Sequence, residues 1–321
     1  MRTQGGARHP FAFRISDRDG MRARSLPDGL GEPFSVAQAR AAGVNRSRLR
    51  AADLTRPFHG VRSTAVPDGD LAQMVAAYAC AMSPHVFFSH VTAAELWGMP
   101  LPSSAGGPLH VSVRAPHRAP AGAGVVGHAV HPSMVGVVRH PLFGVPVTSP
   151  ATTWAMLGGA LGNVRDLVAT ADAAVREPMH PADPPPLTTR TQLERAVAAG
   201  RRVGAARLRE ALPRVSVRSR SRPETWLRLI VVDAGFPPPA VNHDVVARGM
   251  WLAQVDLAYP ARRVALEYEG EHHLTDPAQW AADLARYDRL VEAGWRVLRV
   301  TKGDVFGDPR DLLARLGRAL A

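Results

Sequence analysis

Apolar and polar residues alternate along two neighbouring segments in the last third of the chain. The first segment is Gln254–Tyr259 and the second is Val264–Glu269. Because successive side chains of a strand point to opposite faces, this period of two predicts two strands with one apolar face each. The predicted apolar faces consist of Val255, Leu257 and Tyr259 in the first strand and of Val264, Leu266 and Tyr268 in the second.

The opposite faces of the two strands carry carboxylates. Pro260–Arg263, between the strands, is predicted to form a turn. If that turn closes a tight hairpin, Asp256 and Glu267 become cross-strand neighbours with side chains about 5 Å apart. Carboxylates held that close repel each other unless a cation lies between them, and a divalent metal ion is the usual solution.

Helical spacing and capping residues predict the elements around this hairpin. Ser221–Glu224 opens an apolar helix that ends near Gly235, and Val241–Val246 is a strand. Asp276 and Pro277 begin a second helix, since Asp is a favoured N-cap and Pro a favoured first residue. A strand at 295–300 and a last helix from 308 follow. The order α-β-β-β-α-β-α predicts a small mixed sheet flanked by helices over residues 221–321.

The helix that begins at Pro277 has an apolar stripe, which we predict to be its buried face. The stripe consists of Trp280, Leu284, Tyr287 and Val291. Asp283 and Arg286 lie off this stripe and one turn apart, so they are placed to form an ion pair on the exposed side.

The N-terminal part predicts a winged helix-turn-helix at residues 31–66, after a disordered leader at 1–30. Ser35 and Gln38 form a capping-box pattern that begins a helix, which Gly43 ends. A second short helix then carries Arg46, Arg48 and Arg50 on its exposed side, and residues 56–62 have the basic, compact character of a β-wing. Charge placement favours DNA binding by these arginines. An ordinary helical hairpin is the alternative.

The middle of the chain predicts an α/β region at 67–176, then a linker and helix at 177–220. Thr191–Leu212 is predicted to be one helix, with Val203 among its apolar positions. His90 is expected at the edge of the core. Four further histidines lack metal-ligand spacing and are expected at the surface, namely His117, His128, His131 and His140.

Composition supports a polyanionic partner. The net charge is +11 and the isoelectric point lies near 11, which favours nucleic acid. An arginine excess from GC-rich coding is the alternative, since Lys302 is the single lysine. Cys80 is the single cysteine, which rules out an intrachain disulfide and a cysteine-based zinc cluster. No apolar run is long enough to span a membrane and the first residues lack a signal-peptide core, so a cytoplasmic protein is expected.

These residues together resemble a known superfamily. The order of Asp256, Glu267-x-Glu269-Gly-x-His-His, Asp283-x-x-Arg286 and the motif Gly294-Trp295-Arg296-Val297-Leu298-Arg299 looks like that of the PD-(D/E)XK nucleases. The resemblance covers about the last hundred residues and points to a branch similar to very-short-patch repair endonucleases. The N-terminal half, more weakly, resembles winged-helix proteins related to abortive-infection type IV antitoxins.

The nuclease resemblance implies roles for individual residues. Asp256 and Glu267 would bind one or two Mg²⁺ (or Mn²⁺) ions, which prefer oxygen ligands. Glu224 would be an accessory carboxylate that reaches the metal through water. The alternative for Glu224 is a capping box with Ser221. Arg286 would contact a DNA phosphate, instead of pairing with Asp283.

Glu269 departs from the resemblance, because it stands where the superfamily has lysine. It is therefore expected to be a third ligand, a general base or the mark of an altered mechanism. His273, or His272 beside it, would carry the proton, with a solvated loop as the alternative. Lys302 is a candidate replacement for the missing cation, although a lysine at a strand end is usually solvated.

Two functional hypotheses follow from the sequence. The first is a DNA-binding protein with a mixed α/β architecture and a metal-dependent endonuclease-like domain that hydrolyses phosphodiester bonds. The second is a non-catalytic transcriptional regulator or antitoxin-like DNA-binding protein, which Glu269 favours. The expected partner is DNA, with RNA as an open alternative, and a cognate toxin or a second copy of the chain is a further expectation.

Overall fold

The computed structural model describes residues 25–65, 69–102, 107–270 and 277–321, and for 277–284 it describes the helical backbone alone. The architecture is mixed α/β, as predicted. In the described ranges the strands form a two-stranded, a five-stranded and a four-stranded sheet. Of the predicted leader, residues 25–30 pack on the N-terminal core through Leu26 and Leu30, and residues 1–24 lie outside the described ranges.

The N-terminal unit is small. It consists of β1 (Phe34–Ser35), α1 (Val36–Ala41) and β2 (Val61–Arg62), with β1 antiparallel to β2. The predicted capping box is present, since the Ser35 side chain accepts from the Gln38 amide and the Gln38 side chain accepts from the Ser35 amide. The predicted second helix is shorter than expected, namely a single 3₁₀ turn at Arg48–Arg50.

The middle unit is a five-stranded sheet covered by helices. Its elements are α2 (Leu71–Ala79), β3 (Val86–Phe88), α3 (His90–Leu96), β4 (Leu109–Arg114), β5 (Val125–Val130), β6 (Val137–Arg139), β7 (Pro146–Thr148), α4 (Pro150–Ala160), α5 (Val164–Val175), α6 (Arg190–Ala198) and α7 (Ala205–Ala211). The strand order is β5-β4-β3-β7-β6, and β4 is parallel to β5. Buried Trp154, Leu157 and Leu167 pack with Leu193 and Leu208.

The helix predicted over Thr191–Leu212 is interrupted, which corrects the expectation. Gly204 has φ +77°, and a Cβ at this position would lie 1.7 Å from the Gly158 carbonyl oxygen. The first helix has already ended at Ala198, and the left-handed Gly204, pressed against α4, directly precedes α7. The interruption leaves Val203 81% exposed, although the sequence pattern places it on the apolar side.

The C-terminal unit has the predicted order, with one short helix added. Its elements are α8 (Arg222–Asp233), β8 (Ala240–Ala247), β9 (Met250–Tyr259), β10 (Val264–Tyr268), α9 (Pro277–Glu292), β11 (Arg296–Val300), α10 (Lys302–Phe306) and α11 (Arg310–Leu320). The sheet order is β11-β10-β9-β8, with β10 parallel to β11 and antiparallel to β9.

Both faces of this sheet are buried. The predicted apolar face of β10 is confirmed, because Val264, Leu266 and Tyr268 pack in one cluster, whereas the face predicted for β9 is wrong. Leu257 packs with Leu266 and with Leu227 of α8, whereas Val255 packs with Ala265 and Leu290 in a separate cluster. Residues two apart in a regular strand share a face. The separation of Val255 from Leu257 therefore marks an irregularity at the residue between them.

Two buried aspartates of α5 bind the helix that begins the C-terminal unit. Asp172 Oδ2 accepts from Arg228 Nη2 and from Thr225 Oγ1, both at 2.8 Å. Asp166 Oδ1 accepts from Arg222 Nε at 2.7 Å and from the Trp226 indole at 2.9 Å. Charge-assisted hydrogen bonds of this kind are stronger than neutral ones, so they fix α8 relative to α5.

Candidate functional site

Asp256 lies just beyond the last β9–β10 pair and opposite a single interruption of the β8–β9 pairing. Toward β10 the ladder stops at the Leu257–Leu266 pair, which leaves Asp256 and Glu267 as the next residues in register. Asp256 Oδ2 accepts from the Tyr268 backbone N–H at 2.8 Å. Toward β8 the ladder skips Asn242, whose φ is +47°. Pairing with β8 continues on both sides, at Val241–Leu257 and His243–Val255, and the side chains of β9 change sides at Asp256.

The side chain of Asp256 is in an acidic environment. Burial raises its pKa to about 7, and the charges of Glu224 and Glu267 contribute to the rise. The Tyr268 N–H and Arg286 act in the opposite direction. We refer to Glu224, Asp256 and Glu267 as the carboxylate cluster. A carboxyl whose pKa is raised by burial and by like charges is typical of functional sites.

Glu224 reaches this cluster from the first turn of α8. Ser221 caps the helix by accepting from the Glu224 amide at 3.3 Å. In a full capping box the Glu224 side chain would accept from the Ser221 amide. Here Glu224 Oε2 accepts instead from the Arg220 amide at 2.9 Å and from Asn242 Nδ2 at 2.7 Å. Glu224 is 8% exposed. These contacts orient the carboxylate toward the irregular part of the sheet, beside Asp256.

Arg286 contacts Glu267, a partner that neither sequence expectation for it named. Its Nη1 lies 3.1 Å from Glu267 Oε1 and its Nη2 lies 3.0 Å from Oε2. Nη1 also donates to the Gln254 carbonyl at 3.2 Å. This contact follows from the face that α9 turns toward the sheet. Leu290 is buried on that face, whereas Val291 is 48% exposed. The buried face is therefore shifted from the predicted stripe, and Arg286 shares it. The side chain of Asp283 lies outside the described residues.

Glu269 lies apart from the carboxylate cluster in its described contacts. Its carboxylate forms an ion pair with Arg299 Nε of β11 at 2.9 Å, and both side chains are about half exposed. Arg299 also lies over the Tyr287 ring. Lys302 is exposed at the first residue of α10. His272 and His273 lie outside the described residues.

The three arginines of the N-terminal unit that are predicted to contact DNA differ in their surroundings. Arg48 forms two hydrogen bonds with Asp53, at 2.9 and 2.8 Å, and its side chain is only 9% exposed. The expectation that Arg48 points to solvent is therefore wrong, because it holds the segment after the 3₁₀ turn. Arg46 and Arg50 are exposed.

Sequence reasoning missed a group of histidines in the middle unit. His110 Nδ1 lies 3.1 Å from His128 Nε2, and the His128 ring stacks on that of His90 at 3.9 Å. We call His90, His110 and His128 the histidine cluster. His140 is also not a surface residue, since it is 3% exposed and its Nε2 lies 3.0 Å from the Leu96 carbonyl oxygen. Local sequence spacing gave no signal for this cluster, because its three histidines lie on separate elements, α3, β4 and β5.

Among the described helices, none has the length and apolarity that crossing a membrane requires.

The chain is similar in sequence to two mycobacterial proteins. It is 31% identical over 274 residues to the uncharacterized proteins Rv2248 and MT2308 from two strains of Mycobacterium tuberculosis. The match covers 85% of this chain and 94% of each relative. No protein-family model matches the chain. The crystal structure of the M. tuberculosis protein RV2827C aligns with 57% of this chain and 72% of its own, at 18% identity and a TM-score of 0.37.

Proposed function

Because the chain belongs to the family of the M. tuberculosis proteins Rv2248 and MT2308, whose names state no activity, we propose a function from its own residues. The proposal is metal-dependent hydrolysis of phosphodiester bonds in DNA by the C-terminal unit. The observation that carries it is the position of Asp256 and Glu267 as the next residues in register on β9 and β10, where burial and the charges of Glu224 and Glu267 raise the pKa of Asp256.

The donor set of the carboxylate cluster fits a hard divalent cation. Carboxylate oxygens are the ligands that Mg²⁺ and Mn²⁺ prefer. Burial is the largest cause of the raised pKa of Asp256, and the charges of Glu224 and Glu267 add to it, so a cation bound by Asp256 and Glu267 would stabilise the ionised carboxylate. When bound, such an ion polarises a phosphate and lowers the pKa of water.

In this proposal the chain's own residues would hold the carboxylates in place and bind the phosphates of the DNA. Asn242 and the Arg220 amide hold Glu224, which limits how far that carboxylate moves. Arg286 lies beside Glu267 and is placed to exchange this contact for a phosphate oxygen, because guanidinium groups bind both anions bidentately. Arg46 and Arg50, together with the +11 net charge, favour binding of the DNA backbone.

Plasmid nicking in Mg²⁺ or Mn²⁺ tests this proposal. We expect the wild-type chain to nick DNA and Asp256→Asn and Glu267→Gln to lose activity, since each removes one ligand charge while keeping side-chain size. Asp244→Asn is the matched control, because Asp244 is exposed on the same sheet and contacts Trp251 and Gln254 instead. Nicking that is equal in all four proteins contradicts the assigned site.

A non-catalytic DNA-binding regulator is the second candidate, and the contact between Arg286 and Glu267 favours it. A guanidinium that permanently neutralises Glu267 makes a metal unnecessary, and Glu269 stands in the position of the superfamily's lysine. Calorimetry with Mn²⁺ separates the candidates. Affinity that falls in Asp256→Asn and Glu267→Gln supports the nuclease, whereas DNA binding with no such Mn²⁺ affinity supports the regulator.

A further inference from the structure

The histidine cluster lies on the middle sheet and on the helix that follows its central strand. His110 of β4 and His128 of β5 are diagonal neighbours on one face, since Ser112 is the residue in register with His128. His90 is the first residue of α3 and has φ +51°. A left-handed backbone at a non-glycine residue carries a cost, although histidine tolerates it better than most residues.

Two buried serines orient the ring of His90. Ser112 Oγ donates to Ser89 Oγ at 2.7 Å, and Ser89 Oγ lies 3.0 Å from His90 Nδ1. A serine oxygen has two lone pairs, so Ser89 is able to accept from Ser112 and from a protonated Nδ1 together. In that tautomer Nε2 of His90 carries the free lone pair. Hydrogen bonds to the distal nitrogen are what orient histidine ligands in metal sites.

The spacing of the ring nitrogens suits one metal ion. One nitrogen from each of the three rings lies within 4.8 Å of the other two. Two nitrogens bound to the same Zn²⁺ with bonds of about 2.0–2.1 Å and tetrahedral angles are about 3.3 Å apart. The separation of His110 Nδ1 from His128 Nε2 is 3.1 Å. Small movements of the rings therefore suffice to bring all three nitrogens to bonding distance.

The protonation state of the rings also suits metal binding. Burial lowers the pKa of His110 and of His128. Burial, followed by the charges of His128, His110 and Arg202, lowers the pKa of His90 to about 3. The rings are therefore neutral at pH 7, and the proton shared between His110 Nδ1 and His128 Nε2 would shift to the other nitrogen of its own ring when a metal binds. Neutral imidazole favours Zn²⁺, Ni²⁺ or Cu²⁺ over Mg²⁺.

We propose that His90, His110 and His128 bind one divalent transition-metal ion, such as Zn²⁺, independently of the carboxylate cluster. His90 and His128 line a cavity of about 310 Å³, whose wall also includes Arg201 and Arg202. The fourth coordination position faces this cavity. Three neutral ligands leave the ion with its full charge, and the two arginines add to it, so the cavity suits water or a small anion as the fourth ligand.

Zn²⁺ titration by calorimetry tests the proposal. We start from the full-length Asp256→Asn/Glu267→Gln chain, so that the carboxylate cluster does not contribute, and expect it to bind one equivalent of Zn²⁺. Adding His110→Gln or His128→Gln should weaken Zn²⁺ binding by at least about tenfold. His117→Gln is the matched control, since His117 is an exposed histidine of the same unit that stacks on His85. No Zn²⁺ uptake, or equal affinity in all variants, overturns the proposal.

Co²⁺ substitution gives a readout that does not depend on the variants folding. Co²⁺ bound by three imidazoles in a four- or five-coordinate site absorbs visible light more strongly than hexahydrated Co²⁺. We expect such bands when Co²⁺ is added to the wild-type chain, and we expect Zn²⁺, but not Mg²⁺, to abolish them. A spectrum identical to that of free Co²⁺ overturns the proposal, whatever the outcome of the nicking assay.

Discussion

Arg286 of α9 and Glu267 of β10 form a bidentate ion pair, with N–O distances of 3.1 and 3.0 Å. The pair joins the helix to the strand that carries a proposed metal ligand. The Glu267 side chain is 13% exposed, so its charge depends on close counter-charges more than a surface carboxylate would. In the proposed nuclease a metal ion would take the place of this guanidinium, whereas in the proposed regulator the ion pair would remain.

Removing this guanidinium should make stability depend more strongly on metal. We expect Arg286→Met to lower the free energy of unfolding by about 1–3 kcal/mol in chelator, because the Glu267 carboxylate loses a bidentate partner in a partly buried site. Mn²⁺ should restore more stability to Arg286→Met than it adds to the wild type. Urea denaturation with chelator and with Mn²⁺ measures both effects. Equal Mn²⁺ responses would show that the metal and Arg286 do not share Glu267.

Asp256 should make the protein less stable as the pH rises from 4 to 7. Its pKa is about 7 in the folded state and 3.8 as a model value, so the folded state retains a proton that the unfolded state releases in this range. Asp256→Asn removes this cost. We expect it to raise the free energy of unfolding at pH 8 by on the order of 1–2 kcal/mol relative to the wild type, with less effect at pH 4.

Urea denaturation at both pH values, on the wild type and on Asp256→Asn, measures this difference. Asp244→Asn serves as the control, because its carboxylate is exposed and lies outside the carboxylate cluster. A wild-type chain whose stability rises from pH 4 to pH 8 by the same amount as that of Asp256→Asn would contradict the raised pKa.

Arg46 and Arg50 should contribute to DNA affinity without contributing sequence preference. Each phosphate contact that is lost reduces the slope of log K against log salt by about 0.9. We therefore expect Arg46→Gln/Arg50→Gln to weaken binding evenly across DNA sequences and to reduce the slope by about 2. Arg209→Gln is the control, since Arg209 is exposed on α7. An unchanged slope in Arg46→Gln/Arg50→Gln would exclude the 3₁₀ turn as part of the interface.

The buried Asp172 should contribute much more to stability than an exposed aspartate with two arginine partners. Asp172→Asn leaves the guanidinium of Arg228, whose side chain is 12% exposed, without its carboxylate. We expect a loss of about 3 kcal/mol. Asp233→Asn is the comparison, because Asp233 pairs with Arg165 and Arg214 at the surface, where about 0–1 kcal/mol is typical. Thermal unfolding of both variants measures the difference, and equal losses would contradict it.

The register of β9 with β10 could be predicted from the sequence, but the change of faces along β9 could not. The alternation around Asp256 and Glu267 places both residues correctly in register, because the turn between the strands sets that register. The same alternation assigns Val255 to the face of Leu257. The left-handed Asn242 on the neighbouring strand interrupts the sheet at Asp256 and changes that assignment. A single asparagine in a strand gives no signal of this in the sequence.

Two other features of the site could not be predicted from the sequence, namely which face of α9 is buried and which distant residues meet. On α9 the apolar residues Leu290 and Val291 are adjacent, so the sequence allows two phases, and packing on the sheet selects Leu290 and with it Arg286. The histidine cluster combines residues 90, 110 and 128, whose meeting depends on the parallel pairing of β4 and β5. Such a pairing is a property of the tertiary fold, which local spacing does not encode.

The buried contacts between α5 and α8 restrict how the gene could have been assembled or shuffled. A C-terminal segment beginning at Ser221 would carry Arg228 and the core residue Leu229 without the surfaces that receive them. The preceding segment, expressed alone, would retain Asp172 in an apolar setting with no guanidinium from α8. Fusion of the C-terminal segment to an unrelated protein would therefore require a substitute for α5, so the two halves are expected to be inherited together.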